Sequence, residues 1–148
     1  MPAVENQKKG EAETKEKVSE ETKTEIILPQ QPAIYFHPPF LENQCDSCHE
    51  TKFSQRLVLQ GKELCFACHD DFTKDKKIVH YPVSEGACIE CHNPHQSPNK
   101  FLLKKAIPET CFSCHDEKDI KENPTHKGQN ICTDCHNAHA SNEEKLLK

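Results

Sequence analysis

"CIECHNPHQS", residues 88–97, places two cysteines and two histidines in its first eight positions, and "CTDCHNAHAS", residues 132–141, repeats it closely. The same pentapeptide pattern stands at 45–49 (CDSCH), 65–69 (CFACH) and 111–115 (CFSCH). All ten cysteines of the 148-residue chain lie inside these five CxxCH motifs, as Cys45/Cys48, Cys65/Cys68, Cys88/Cys91, Cys111/Cys114 and Cys132/Cys135. Working outward, "HPPFLENQCDSCHETKFSQRLVLQGKELCFACHD" (37–70) aligns with "HYPVSEGACIECHNPHQSPNKFLLKKAIPETCFSCHD" (80–116), then with "HKGQNICTDCHNAHASNEEKLLK" (126–148). Each unit is a leading histidine, a CxxCH, a link ending in an apolar patch, and a second CxxCH followed by aspartate. The third unit contains only the first motif. Two and a half units of this length predict a linear array.

The rest of the composition sets limits. Apolar residues make up 34% of the chain, cysteines included, with no tryptophan and a single methionine. A domain this poor in apolar side chains relies on disulfides, metals or a cofactor. A net charge of −5 offers no basic stripe for phosphates, which excludes a nucleic-acid partner. The longest apolar run, "FLLKKAI" (101–107), is broken by two lysines and predicts no transmembrane segment. "MPAVENQKKGEAETK" has no apolar centre, so no secretory signal is read in it. Residues 1–33 read as a charged, flexible N-terminal tether and 34–148 as one domain of two and a half repeats. The proline-rich "ILPQQPAIYFHPPF" is expected to lie extended over that domain. Prolines and polar links break helical periods, and no alternating pattern is present. The expected fold class is therefore mostly irregular with a few short α-helices and almost no β structure, an elongated array. Short helical turns should fall at the motifs, with one longer turn through Phe101–Ile107 ended before Pro108.

On a helical turn, positions i, i+3 and i+4 share a face. CxxCH puts two thiols and an imidazole there, so the thiols can reach the two vinyl groups of one haem while the imidazole meets its iron. The motif therefore reads as c-type haem attachment. Three other readings compete. Zinc ribbons pair CxxC units but place no demand on a histidine after each second cysteine. A thioredoxin-like CxxC comes once, within a strand–helix alternation not seen here. A disulfide framework would not space its cysteines so uniformly. Five copies that use every cysteine favour haem, and predict five c-type haems with their irons as cofactors.

Five of the ten histidines are in the motifs: His49, His69, His92, His115 and His136. The other five, His37, His80, His95, His126 and His139, match the irons in number and recur at repeat-equivalent positions. Met1 is the only methionine, so all five irons are expected to be bis-histidine, with low, mostly negative potentials. His95 stands three residues after His92 and cannot reach the opposite face of the same ring; it must serve another haem. The first unit has Lys52, read as a surface charge, where the others have His95 and His139. These boundaries suggest that His95 caps the Cys65/Cys68 haem and His139 the Cys111/Cys114 haem. His37, His80 and His126 would then cap the haems at Cys45, Cys88 and Cys132.

On "CIECHNPHQS…CFSCHD" and "CTDCHNAHAS", residues 37–148 resemble the multihaem c-type cytochromes with the doubled CXXCH motif. Within that group, length and haem number are similar to the small pentahaem electron donors of periplasmic nitrite reduction. They are also similar to each half of the decahaem cytochromes of outer-membrane porin conduits. The resemblance implies closely spaced haems, little regular secondary structure and electron passage to a redox partner; extracellular cytochrome filaments use similar motifs. The expected function is electron transfer along five haems rather than catalysis, because fully ligated irons offer no open site. The alternatives are a subunit of a larger extracellular conduit or filament, and a small haem reductase needing a five-coordinate iron. Expected partners are redox proteins: a quinol-oxidising donor, a terminal reductase or an outer-membrane conduit. Covalent haem attachment takes place outside the cytoplasm, so the expected location is extracytoplasmic, foremost the periplasm.

Overall fold

The computed structural model describes residues 33–129 and 131–148; the tether expected over 1–33 lies almost wholly outside them. Five short α-helices and four two-residue strands are spaced along otherwise irregular chain. The helices are α1 (Pro38–Leu41), α2 (Gly61–Phe66), α3 (Tyr81–Ser84), α4 (Cys88–Cys91) and α5 (Glu117–Glu122). The strands are β1 (Tyr35–Phe36), β2 (Ile78–Val79), β3 (Gln96–Ser97) and β4 (Ala140–Ser141).

Local chemistry explains most of these pieces. Proline stands in the first turn of α1 and of α3, where its fixed φ suits a helix and its missing N–H costs nothing. Asp116, the residue after the fourth motif, caps α5 by accepting from the backbone N–H groups of Lys118 (2.9 Å) and Asp119 (3.0 Å). Each CxxCH forms one turn, closed by the histidine N–H donating to the carbonyl of the first cysteine at 2.9–3.1 Å in all five copies. In α2 and α4 that turn is α-helical; at Cys45–Ser47, Cys111–Ser113 and Cys132–Asp134 it is a 3₁₀ turn.

The strands join the units. β1 pairs antiparallel with β3, and β2 with β4, so the segment leading into one unit is stitched to the segment after the first motif of the next. The seam continues as His37 N–H donates to His95 O (2.9 Å) and His80 N–H to His139 O (2.8 Å). These pairings carry no sequence signal of their own, since two residues cannot show an alternating pattern.

No long turn runs through 101–107. Lys100–Leu102 is a single 3₁₀ turn in which Phe101 (φ 58°) and Leu102 (φ 57°) are both left-handed, and Lys145 (56°) and Leu146 (58°) repeat the conformation. Left-handed backbone costs a side-chain-bearing residue roughly 1–2 kcal/mol. The loop is held by main-chain bonds back to the motif. Asn93 N–H donates to Leu102 O (2.7 Å) and Lys104 N–H to Cys91 O (2.8 Å), repeated as Asn137 to Leu146 (2.7 Å) and Lys148 to Cys135 (3.0 Å).

Among the described residues only Val83, Ala140, Ser97 and Ser141 are buried. Two of these four are polar, and both are tied. Ser97 Oγ donates to Leu103 O (2.5 Å) and accepts from Asn99 N–H (3.0 Å). Ser141 Oγ likewise donates to Leu147 O and accepts from Glu143 N–H (3.0 Å). Ser141→Ala should therefore lower stability by about 1–3 kcal/mol, the cost of leaving buried partners unmet. Thermal melting of the coloured protein reads this, and an unchanged midpoint would remove the serine from the argument.

Candidate haem sites

The five turns each present two thiols and an imidazole, and five further imidazoles come to meet them. Ring centres lie 6.0 Å apart for His37–His69, 6.1 Å for His49–His95 and 6.0 Å for His80–His115. They are 6.0 Å apart for His92–His139 and 6.1 Å for His126–His136. Every pair joins one motif histidine to one that stands outside the motifs. Rings in direct contact would be about 3.5–4 Å apart. Two imidazoles on one metal need about 6 Å between centres: two metal–nitrogen bonds of about 2 Å, plus about 1 Å from each nitrogen to its ring centre. The separation is that of a metal, five times over.

The second ring nitrogens fit the same purpose. His92 Nδ1 meets Phe101 O at 2.8 Å and His136 Nδ1 meets Lys145 O at 2.8 Å. Both carbonyls belong to the first left-handed residue of their loops, which explains why the strained turn is there: it aims the carbonyl at the ring. His80 Nδ1 meets Ala138 O at 2.9 Å, and the Pro94 backbone accepts from His37 at the repeat-equivalent place. An Nδ1–H held on a carbonyl fixes the tautomer that leaves Nε2 as the ligand atom, and raises its donor strength. Burial first, and then the His69 imidazole across the gap, hold His37 below the ordinary histidine range; burial and His92 do the same for His139. Both rings thus favour the neutral form that a metal requires. Phe40 packs against His95 with centroids at 4.8 Å, and Phe72 against His139 at 4.6 Å, yet both phenylalanines remain 41–42% exposed. Apolar walls of this kind suit a porphyrin face.

The ten cysteines, alike in the sequence, are not alike in the structure. Contrary to that equivalence, Cys68 and Cys114 are exposed, as is Cys135, whereas the other seven are half-buried. After the first, third and fifth turns a later segment comes back to the second cysteine: Val58 N–H donates to Cys48 O (3.0 Å), Lys104 to Cys91 and Lys148 to Cys135. Cys68 and Cys114 end the second motif of their units, and among the described residues no segment returns to bond either carbonyl. Cys135 is exposed although Lys148 bonds its carbonyl, so the returning segment does not by itself set how open a thiol is.

The zinc reading does not fit. Among the described residues no group of three or more His, Cys, Asp or Glu side chains converges on one metal position. A tetrahedral site would need four.

The pairing expected from the repeat boundaries is crossed. His95 faces His49, on the turn of Cys45 and Cys48, rather than the turn of Cys65 and Cys68. His37 faces His69 of the Cys65 and Cys68 turn, and not the turn of Cys45. The exchange recurs one unit later. His139 meets His92, on the turn of Cys88 and Cys91, instead of the turn of Cys111 and Cys114, where His80 faces His115. Only His126, facing His136, stands where those boundaries put it. The cause is the strand seam. His37 and His95 are bonded backbone to backbone, so two histidines that belong to different turns enter side by side. Lys52, exposed and 5.0 Å over the Phe53 ring, faces no imidazole and is a surface charge.

The turns also follow one another without a gap. The Cys65 and Cys88 thiols lie beside each other, as do those of Cys111 and Cys132. Burial and that neighbouring thiol push Cys65 and Cys111 up to about 11. The first of these contacts needs glycine. Gly86 has φ +71°, and a Cβ on it would lie 2.9 Å from the Lys62 nitrogen in α2. Neighbouring thiols thus connect successive turns, Cys48 with Cys65, Cys65 with Cys88, Cys91 with Cys114 and Cys111 with Cys132, while the strand seams join the lead of one unit to the chain after the first turn of the next.

One-turn CxxCH units facing second imidazoles at metal-spanning distance define a multihaem c-type cytochrome, a class of covalent haem proteins that transfer electrons. Residues 37–74, 80–120 and 123–148 match the family model of the doubled CXXCH motif, well over half of the chain, and the chain belongs to that family. Comparison with curated proteins returns no match. No helix among the described residues is long and apolar enough to cross a membrane.

Proposed function

We propose that the chain binds five c-type haems, one on each cysteine pair, and conducts single electrons along them between redox proteins. The observation that carries this reading is the one-to-one meeting of five motif imidazoles with five others at 6.0–6.1 Å. When bound, each haem supplies one-electron iron chemistry. His49, His69, His92, His115 and His136 hold the irons on the peptide side; His95, His37, His139, His80 and His126 respectively hold them on the other. Two protein imidazoles on each iron would leave substrate no place to bind, which favours carrier over reductase. Imidazole pairs without methionine, four of their rings bonded through Nδ1 to backbone carbonyls, favour ferric iron and low potentials.

Thiols that neighbour each other from turn to turn support one unbroken path from the Cys45/Cys48 turn to the Cys132/Cys135 turn. The chain's charge of −5, made more negative by haem propionates, fits basic docking surfaces on the partners. Those partners are best sought among quinol-oxidising donors, terminal reductases and outer-membrane conduits, in the periplasm, where haem is attached. Head-to-tail growth into a filament through the same seam is disfavoured, because the first unit carries Lys52 where a preceding unit would need the histidine.

Intact mass after native production should exceed that of the polypeptide by five haems, and the ferric spectrum should be low-spin. Four or fewer haems, or a stoichiometric high-spin signal, would contradict the reading.

A further inference from the structure

The fifth pair differs from the other four in every respect that holds a distal histidine in place. Its imidazole planes are inclined by 43°, against 14–22° elsewhere. His37 and His80 are anchored through Nδ1 on the Pro94 and Ala138 backbone, and by their own N–H groups on the seam. His95 and His139 accept the other half of that seam and are backed by Phe40 and Phe72. His126 has none of these supports. Its Nδ1 is buried and, among the described residues, meets no acceptor. It ends a three-residue 3₁₀ turn, Pro124–His126, two residues before Gly128, whose missing Cβ would touch nothing within 4 Å. By repeat position it matches His37 and His80, which face the second turn of their own units, yet it faces the first. His49 Nδ1 is also buried without a partner, but His49 directly follows Cys48 in its motif and cannot leave.

We infer that His126 is an exchangeable ligand, so that the haem on Cys132 and Cys135 is the one site in the array open to a small external donor such as carbon monoxide or imidazole. This rests on the five-haem reading above. His136 and His126 would hold a haem bound there, and an incoming donor would supply the lone pair that His126 Nε2 gives up, with no electron transferred. The reactive position is then at one end of the path, while the other four irons stay sealed.

The test uses the full holoprotein. Titration of the reduced form with carbon monoxide, followed by the Soret band, should saturate at one ligand per five haems, and imidazole should saturate the oxidised form at the same ratio. His126→Ala should keep that ratio while showing one high-spin iron and binding faster. The Cys132→Ala/Cys135→Ala variant, lacking the fifth haem by mass, should bind none. No binding to the wild type, binding spread over several haems, or two sites in His126→Ala would overturn the inference while leaving the electron-carrier reading intact. A protein without haem would instead remove the reading beneath it.

Discussion

In a variant that lacks the second haem through Cys65→Ala/Cys68→Ala, further substitution of His37 by alanine should leave every remaining iron low-spin. His95→Ala in the same background should produce one high-spin iron. The two outcomes separate the crossed pairing from the ordered one, which predicts the reverse: a high-spin iron on loss of His37 and none on loss of His95. The logic is that of a mutant cycle, in which two changes acting on one site do not add. His37 faces His69, so once the Cys65/Cys68 haem is gone His37 has no iron to serve. His95 faces His49, and its loss opens the Cys45/Cys48 iron in either background. Low-temperature electron paramagnetic resonance of the ferric protein counts the high-spin irons directly. The effect is all-or-none for one iron in four, so a partial signal would mean that His37 and His95 exchange places. The second unit supplies an independent repeat, with Cys111→Ala/Cys114→Ala, His80→Ala and His139→Ala.

That reversal also marks how far the sequence could be read. Five similar turns and the scarcity of regular structure were legible, because CxxCH carries its geometry within five residues. The residue roster follows from counting, and so does the rule that the histidine of "NPH" or "NAH" serves the preceding unit. Counting does not say which haem of that unit is served, since the absence of such a histidine from the first unit fits both. The choice is made by β1–β3 and β2–β4, pairs of two-residue strands whose only energy is a few main-chain bonds. Nor does the motif say that Cys68, Cys114 and Cys135 stand open while the other seven cysteines are half-buried. Likewise "FLLKKAI" reads as a helical turn by composition. Its first two residues instead adopt left-handed backbone so that the Phe101 carbonyl can reach His92. Local propensity lost there to a long-range bond at the site, and such bonds have no pattern along the chain.

The haem-free polypeptide should not fold. Val83 and Ala140 are the only buried apolar residues among those described, and Phe40, Phe72 and Leu147 keep 41–42% of their surface open. A domain with so few side chains taken fully out of water cannot offset the entropy of ordering its chain from protein contacts alone. Haem faces and iron–imidazole bonds must supply the difference. Replacing all ten cysteines by alanine, or producing the chain without haem attachment, should therefore give an unfolded circular dichroism spectrum and no cooperative transition in urea. A cooperative melt of haem-free protein, with a slope appropriate to a domain of this size, would show that side-chain packing has been undervalued. Loss of single haems should then grade by position, as in other repeat arrays. The Cys132/Cys135 turn is the last of the series and lies beside the turn of Cys111, so removal of its haem should cost least. The Cys88/Cys91 haem is different. Its turn contacts the first unit through Cys65, and its His92 faces His139 of the third unit, so both junctions meet there. Cys88→Ala/Cys91→Ala should come nearest to the haem-free state, with a larger fall in melting temperature than removal of any other single haem.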